Sequence, residues 1–335
     1  MATNRRKTEH LEALARDPAI ERGDSGFDRI RLSHRALPQL DYDAIDTGCS
    51  FLGKRLSFPL LISAMTGGDD ELIRTLNRRL ATAAEACGVA LAVGSQRVMF
   101  EEPGARASFQ LRQWAPTTVL LGNLGAVQLN RGYGLEHCQE ALQLLDGDGL
   151  YLHLNPLQEA VQPEGDRNFH NLAARIDHIA RGLKRPLLIK EVGTGLSPAD
   201  IGLLKNSPIA YFDLAGRGGT SWSRIEAARA DDDFGLSFQD WGLSTVEALR
   251  LNVAAYPELR FIASGGIRSG IDMAKAIILG AELCGVARPL LLAARESTAA
   301  VIATIQRFQR EYHTALFLLG CANNAALRRN NALIL

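Results

Sequence analysis

The chain has 335 residues, with 37 Lys+Arg against 37 Asp+Glu, 47% hydrophobic and 22% charged residues. This is the composition of a globular protein, and the zero balance gives no general attraction to nucleic acid or anionic membrane, so any anion site must be built locally. The five cysteines (Cys49, Cys87, Cys138, Cys284, Cys321) are odd in number and form no CxxC pair, which argues against a disulfide framework and fits a cytoplasmic protein; the N-terminal MATNRRKTEH lacks the apolar stretch of a signal peptide, and no run approaches the roughly 18 apolar residues of a membrane helix.

Residues 1–57 carry many polar and charged groups and read as an N-terminal arm. From Phe58 onward, short apolar, strand-like runs alternate with longer segments of helical period. The strand-like runs are 59–63, 89–93, 118–121, 149–153, 186–190, 209–213, 259–263 and 283–286. The helical segments that follow them are 71–86, 105–114, 135–145, 172–183, 199–204, 245–253, 270–279 and 298–308, the last extending toward 319. The strands are apolar throughout, as strands covered on both faces are, and eight such units in succession predict an α/β fold, a (β/α)8 TIM barrel over residues 58–320. Residues 214–244, long and rich in Gly and Asp, interrupt the rhythm and read as a lid or binding loop holding Trp222 and Trp241. Residues 321–335 form a C-terminal tail without an evident role.

In a parallel barrel the chemistry sits at the C-terminal ends of the strands. Here those ends read AMTGG, GSQR, GNLG, HLNPLQE, KEVG, GRGGTSW, SGGIR and ARP. Gly265-Gly266 before a helix, with Arg268, Ala287 and Arg288 in the next units, is the pattern of a barrel phosphate seat, where backbone N–H groups and the helix dipole receive a dianion. Thr66, Ser95 and Asn123 on adjacent strands would line one face of a flat polar heterocycle, and Lys190, closing an apolar strand, would set a cation beside it. A phosphate-bearing planar cofactor fits this set, and FMN suits it best. His153-Glu159 adds an imidazole, two amides and a carboxylate in seven residues. Glu159 is a candidate Mg2+ ligand, since Mg2+ typically takes one or two carboxylates and completes its shell with water and substrate phosphate. Arg6 and Lys7 read either as a solvated tail or as an arm folding over the mouth to bind a second phosphate group with Arg97 and His153. Glu226 reads either as a second acidic group near the site or as a helix-surface partner of Arg229.

In chain order, RKTEH (6–10), AMTGG, GSQR, GNLG, HLNPLQE, KEVG, GGTSW, DWGLST, SGGIRSG and ARPLL resemble type 2 isopentenyl diphosphate isomerase, from near the N-terminus to about residue 290. HLNPLQE and GGTSW are the specific segments; SGGIR and ARPLL recur across many flavin and phosphate barrels. The resemblance implies interconversion of isopentenyl and dimethylallyl diphosphate, with reduced FMN, Mg2+ and NADPH as the source of electrons, and a homo-oligomer, tetrameric or octameric in that family. It implies FMN contacts from Ala64, Met65, Thr66, Ser95, Asn123, Lys190, Thr220, Gly265, Gly266, Arg268, Ala287 and Arg288. It implies substrate contacts from Arg6, Lys7, Ser95, Gln96, Arg97, His153, Asn155 and Gln158, with Gln158, His153 and Lys190 catalytic and Glu159 on the metal. No histidine lies between His178 and His313, so the later strands supply no imidazole base, and reduced FMN is the expected acid/base with Trp222 shielding the developing cation. Two other readings fit the barrel alone: an FMN-dependent 2-hydroxy acid dehydrogenase or oxidase, which needs a histidine base, and a non-enzymatic flavin- or phosphate-binding scaffold.

Overall fold

The computed structural model describes residues 9, 13, 16–65, 67–68, 70–230 and 232–335. Eight parallel strands close a barrel: β3 (Leu60–Ile62), β4 (Ala90–Ala92), β5 (Leu120–Gly125), β6 (Gly149–His153), β7 (Leu187–Lys190), β8 (Ile209–Asp213), β9 (Phe261–Ser264) and β10 (Leu283–Val286), with β10 pairing back onto β3. Before them an antiparallel hairpin joins β1 (Cys49–Phe51) to β2 (Lys54–Leu56).

Side chains alternate across a strand, so one face of each strand points into the barrel and the other toward the helices. Leu61, Ala90, Ala92, Leu121, Tyr151, Leu188, Tyr211, Ile262 and Leu283 pack together inside, closed below by Phe51 and Leu56 of the hairpin. Two residues further along the same faces come Ser63, Gly94, Asn123, His153, Lys190, Asp213, Ser264 and Gly285. The two-residue period therefore puts an apolar plug at the bottom of the barrel and a ring of small, polar and charged groups at its mouth. The outward residues (Leu60, Ile62, Leu91, Leu120, Leu150, Leu152, Leu187, Ile189, Phe212, Phe261, Cys284) join the larger core against the helices.

Several segments differ from the sequence expectation. Residues 105–114 do not form an α-helix; the chain makes a short helix Val98–Glu101 and a 3-10 segment Pro103–Phe109, the first ending where Pro103 keeps Glu102 extended. Strand β5 runs on through Gly125, and the HLNPLQE segment enters a helix, Pro156–Val161, with Pro156 in its first turn, where a missing N–H costs nothing. A helix Arg288–Glu296 precedes the long Thr298–Leu319 helix. Within 214–244 lie a helix, Trp222–Ala230, and a 3-10 turn, Phe234–Phe238. The described arm is not merely polar: Ile20, Phe27, Ile30 and Ile45 are buried. The tail packs on the arm, through an Ile334 bridge to Leu32, an Asn323 bridge to Asp46 and the buried Leu327 and Leu333.

The hairpin is pinned to the barrel floor by Asp148. Lys54 lies 2.7 Å from its Oδ1, and Arg112 Nη2 and the Leu120 N–H each donate to Oδ2 at 2.9 Å. Burial pushes this carboxyl up, but donation from Lys54, Leu120 and Arg112 outweighs it and holds the pKa below the ordinary 3.8. Asp148→Asn is expected to cost about 1–3 kcal/mol at neutral pH. A depressed folded-state pKa stabilises above the unfolded value and loses that contribution as pH falls through the folded one. The gap between wild-type and variant denaturation midpoints should therefore be constant above about pH 5 and shrink below the ordinary 3.8; a gap independent of pH down to acid unfolding would contradict it.

Candidate active site

The mouth ring opens into one cavity whose walls carry Ser63, Ala64, Met65, Ser95, Asn123, His153, Gln158, Lys190, Thr220, Trp222, Gly265, Gly266, Arg268, Ala287 and Arg288. Most residues singled out from the sequence thus converge on one space. Arg6, Lys7 and Thr66 lie outside the described residues.

One wall is a phosphate seat. Gly265 and Gly266 have φ of +99° and +75°, and a Cβ on either would lie 2.0 Å from Gly216 O or 2.5 Å from Gly218 O. Only glycine fits at these positions. A Cβ on Gly219 would lie 3.0 Å from the Gly266 nitrogen, so that glycine keeps the amide uncovered. The helix Arg288–Glu296 begins at Ala287 with no side-chain cap, which sets the positive end of its dipole at the cavity wall. Arg268 and Arg288 both reach this rim, and the arm's Glu21 is ion-paired to each.

At the centre, Lys190 and Asp213 end adjacent strands opposite one another in register, both buried. Asp213 accepts from Tyr151 Oη at 3.1 Å and Ser264 Oγ at 2.5 Å, and Lys190 Nζ donates to Glu191 O at 2.5 Å. Burial pushes the Asp213 carboxyl up and the Lys190 ammonium down, each partly opposed by the other's charge. Glu191 organises the loop after β7, accepting from the Gly193 N–H at 2.6 Å, Thr194 Oγ1 at 2.7 Å and the Gly195 N–H at 3.1 Å. The Ser63 hydroxyl, buried on the cavity wall, has no partner. These walls, with two uncovered glycines, a cation and an unsatisfied hydroxyl, fit a phosphate-bearing flavin.

From the segment His153 to Glu159, His153 and Gln158 line the cavity, while Asn155 and Glu159 are buried beside them. Asn123 Nδ2 donates to Val93 O at 3.1 Å, which turns Asn123 Oδ1 toward His153 Nδ1, 2.9 Å away. An amide oxygen only accepts, so Nδ1 carries the hydrogen in this contact. Asn155 Nδ2 donates to Gln158 Oε1 at 3.0 Å and to Glu159 Oε1 at 2.9 Å. Glu159 Oε2 accepts from the Asp166 N–H at 2.6 Å. Asn155 Oδ1 is buried without a partner. Gln158 Nε2 donates to Glu226 Oε1 at 2.8 Å, and Glu226, fully buried, is also paired with Arg229. Glu226 thus pairs with Arg229 as their spacing suggested, but in the interior and not on the helix surface, while its other oxygen meets Gln158. Arg229 is held in turn by Glu164 at 2.9 Å and by the arm's Glu9 at 3.1 Å. No cluster of three His, Cys, Asp or Glu side chains forms among the described residues, so a metal here would lean on Glu159, Asn155 Oδ1 and non-protein oxygens, a donor set of the Mg2+ kind.

Two expected contacts fall elsewhere. Gln96 is fully buried and faces away from the cavity: its Nε2 donates to Ala141 O at 2.9 Å and its Oε1 accepts from the Asn123 N–H at 3.0 Å. The alternation that sends Ser95 into the cavity sends its neighbour outward, so the side chain of Gln96 supports the strand end instead of substrate. Arg97 is tied to Glu101 at 3.2 Å and to Asp166 at 3.4 Å, beside the cavity rather than on its wall.

A family model described as FMN-dependent dehydrogenase matches residues 4–118 and 161–333. A protein of Paracoccus zeaxanthinifaciens named isopentenyl-diphosphate delta-isomerase is 61% identical, over 98% of this chain and 96% of its own length. A second of that name, from Hydrogenovibrio crunogenus, is 54% identical over 98% and 97%. The chain belongs to the FMN-dependent dehydrogenase family and, in it, to the isopentenyl-diphosphate delta-isomerases. Among solved structures, a soluble mutant of (S)-mandelate dehydrogenase from Pseudomonas putida superposes with a TM-score of 0.70 at 17% identity, covering 98% of each chain. A mutant flavocytochrome b2 superposes at 0.71 and 18%, covering 97% of this chain and 82% of its own. These two share the fold. The dehydrogenase match breaks off over 119–160, and that gap holds Asn123, His153, Asn155, Gln158 and Glu159.

Proposed function

We propose that this isomerase converts isopentenyl diphosphate to dimethylallyl diphosphate by moving a proton across the allylic system, with reduced FMN, Mg2+ and NADPH as the reductant. The observation that carries the reading is the lining of the cavity: a phosphate seat, Lys190 and Asn123 share it with His153 and Gln158, which come from the segment where the dehydrogenase match is interrupted. FMN would be held by Gly265, Gly266, Arg268, Ala287 and Arg288 at its phosphate, and by Ala64, Met65, Thr66, Ser95, Asn123, Lys190 and Thr220 along its ring. Reduced FMN supplies acid/base chemistry when bound.

The chain's own residues do the rest. His153, with Nδ1 fixed by Asn123, presents Nε2 to the diphosphate, assisted by Arg6 and Lys7 of the arm. Glu159 and Asn155 Oδ1 would hold Mg2+ together with non-protein oxygens. Lys190 would set positive charge beside the flavin ring. Gln158 orients the alkene and relays a proton toward Glu226. Trp222 screens the developing cation from water. Among the described residues His153, at the end of β6, is the one imidazole lining the cavity, and none stands after β9, which disfavours the 2-hydroxy acid chemistry. No helix among the described residues is long and apolar enough to cross a membrane; we place the protein in the cytoplasm as a homo-oligomer, without a nucleic-acid partner. Anaerobic incubation with isopentenyl diphosphate, FMN, Mg2+ and NADPH tests the reading: dimethylallyl diphosphate should accumulate, and its absence with flavin bound and reduced would end it.

A further inference from the structure

Glu21 belongs to the arm, yet its two carboxylate oxygens go to the two arginines of the phosphate seat, Oε1 to Arg268 and Oε2 to Arg288. Backbone pairing puts it there. Glu21 bridges antiparallel to Thr220, the Arg22 N–H donates to Gly219 O at 2.9 Å and the Ser221 N–H to Ile20 O at 2.8 Å. The Arg22 guanidinium fastens the same stretch, donating to Gly193 O at 2.6 Å and Gln239 O at 2.7 Å. Ser25 then passes so close that a Cβ on Gly266 would lie 2.6 Å from its own. Residues 20–25 thus run as an added strand along the rim of the seat, with Glu21 aimed at its cations.

A carboxylate and a phosphate use the same guanidinium donors, and both prefer paired, charge-assisted hydrogen bonds. With the carboxylate in place, two arginines and a phosphate dianion would form a net negative cluster at a half-exposed rim. With the carboxylate displaced, the cluster is neutral. We propose that Glu21 is a built-in stand-in for the flavin phosphate: it holds Arg268 and Arg288 together in the flavin-free protein and is exchanged for the phosphate when FMN loads. This rests on the FMN reading above. It makes Glu21, outside the short motifs read from the sequence, a determinant of how tightly this chain holds its cofactor.

The test uses the full-length chain stripped of flavin, titrated with FMN and with riboflavin, which lacks the phosphate, and read by quenching of flavin fluorescence. Glu21→Gln keeps shape and removes charge. It should lower the FMN Kd by about tenfold, the scale of one like-charge interaction near a surface, and leave the riboflavin Kd unchanged, which also shows that the site is still folded. An FMN Kd that is unchanged or raised would make Glu21 an orienting partner of the arginines and overturn the proposal, as would equal tightening of both flavins. A wild-type chain that takes up neither flavin would remove the FMN reading and this proposal with it.

Discussion

Gln158→Leu is expected to lower turnover by about 10²- to 10⁴-fold, the range found when a positioned proton-transfer group is removed, while flavin affinity stays near wild type. The reason is placement. Gln158 is the cavity-lining end of a chain that runs to the buried Glu226 at 2.8 Å and on to Arg229. Leucine fills similar space but carries no amide, so the proton path ends at the wall. Glu226 keeps its Arg229 partner, so the fold should survive with a loss of about 1–3 kcal/mol for the missing hydrogen bond. Single-turnover measurements at saturating substrate separate this from weaker binding, since the loss should sit in kcat and not in KM. A variant within a few-fold of wild type would remove Gln158 from the chemistry.

Asp213→Ala is expected to destabilise the protein by about 3–5 kcal/mol, the cost of stripping a buried charge of its partner. Three groups lose at once: Tyr151 Oη and Ser264 Oγ lose their acceptor, and Lys190, buried and in register across the strand pair, loses its counter-charge. Burial already pushes the Lys190 ammonium down, with Asp213 the first charge opposing it. Adding Lys190→Met should therefore recover more than 1 kcal/mol in a double-mutant cycle, because neighbours in one network are not additive. Urea denaturation of the four proteins measures both numbers. A single-variant loss under 1 kcal/mol, or a double variant no better than the sum of its parts, would show that the pair does not act as a unit.

The barrel was legible because strands buried on both faces leave unbroken apolar runs, eight of which survive in order. The same property hid which face of each strand points inward: an all-apolar run shows no alternation. Gln96 was carried over with the GSQR resemblance, which does not show that Ser95, Gln96 and Arg97, neighbours in sequence, point in different directions at a strand end. The 3-10 segment was overlooked because the apolar spacing of 105–114 still looks helical. Asp213 did have a signal. It closes an apolar strand as Lys190 does, and two opposite charges at matching positions of consecutive strands predict a pair. Glu21 had none, because its contacts with Arg268 and Arg288 span some 250 residues and depend on the arm's pairing with the Thr220 loop.

The central claim is that a chain on a dehydrogenase-type flavin barrel catalyses a reaction without net oxidation. Its most direct test counts dimethylallyl diphosphate formed per NADPH consumed, under anaerobic conditions with FMN and Mg2+. Many products per NADPH, rising with time after the reductant is exhausted, is the predicted result. One NADPH spent per product, or an oxidised product, would contradict the account and return the site to redox chemistry.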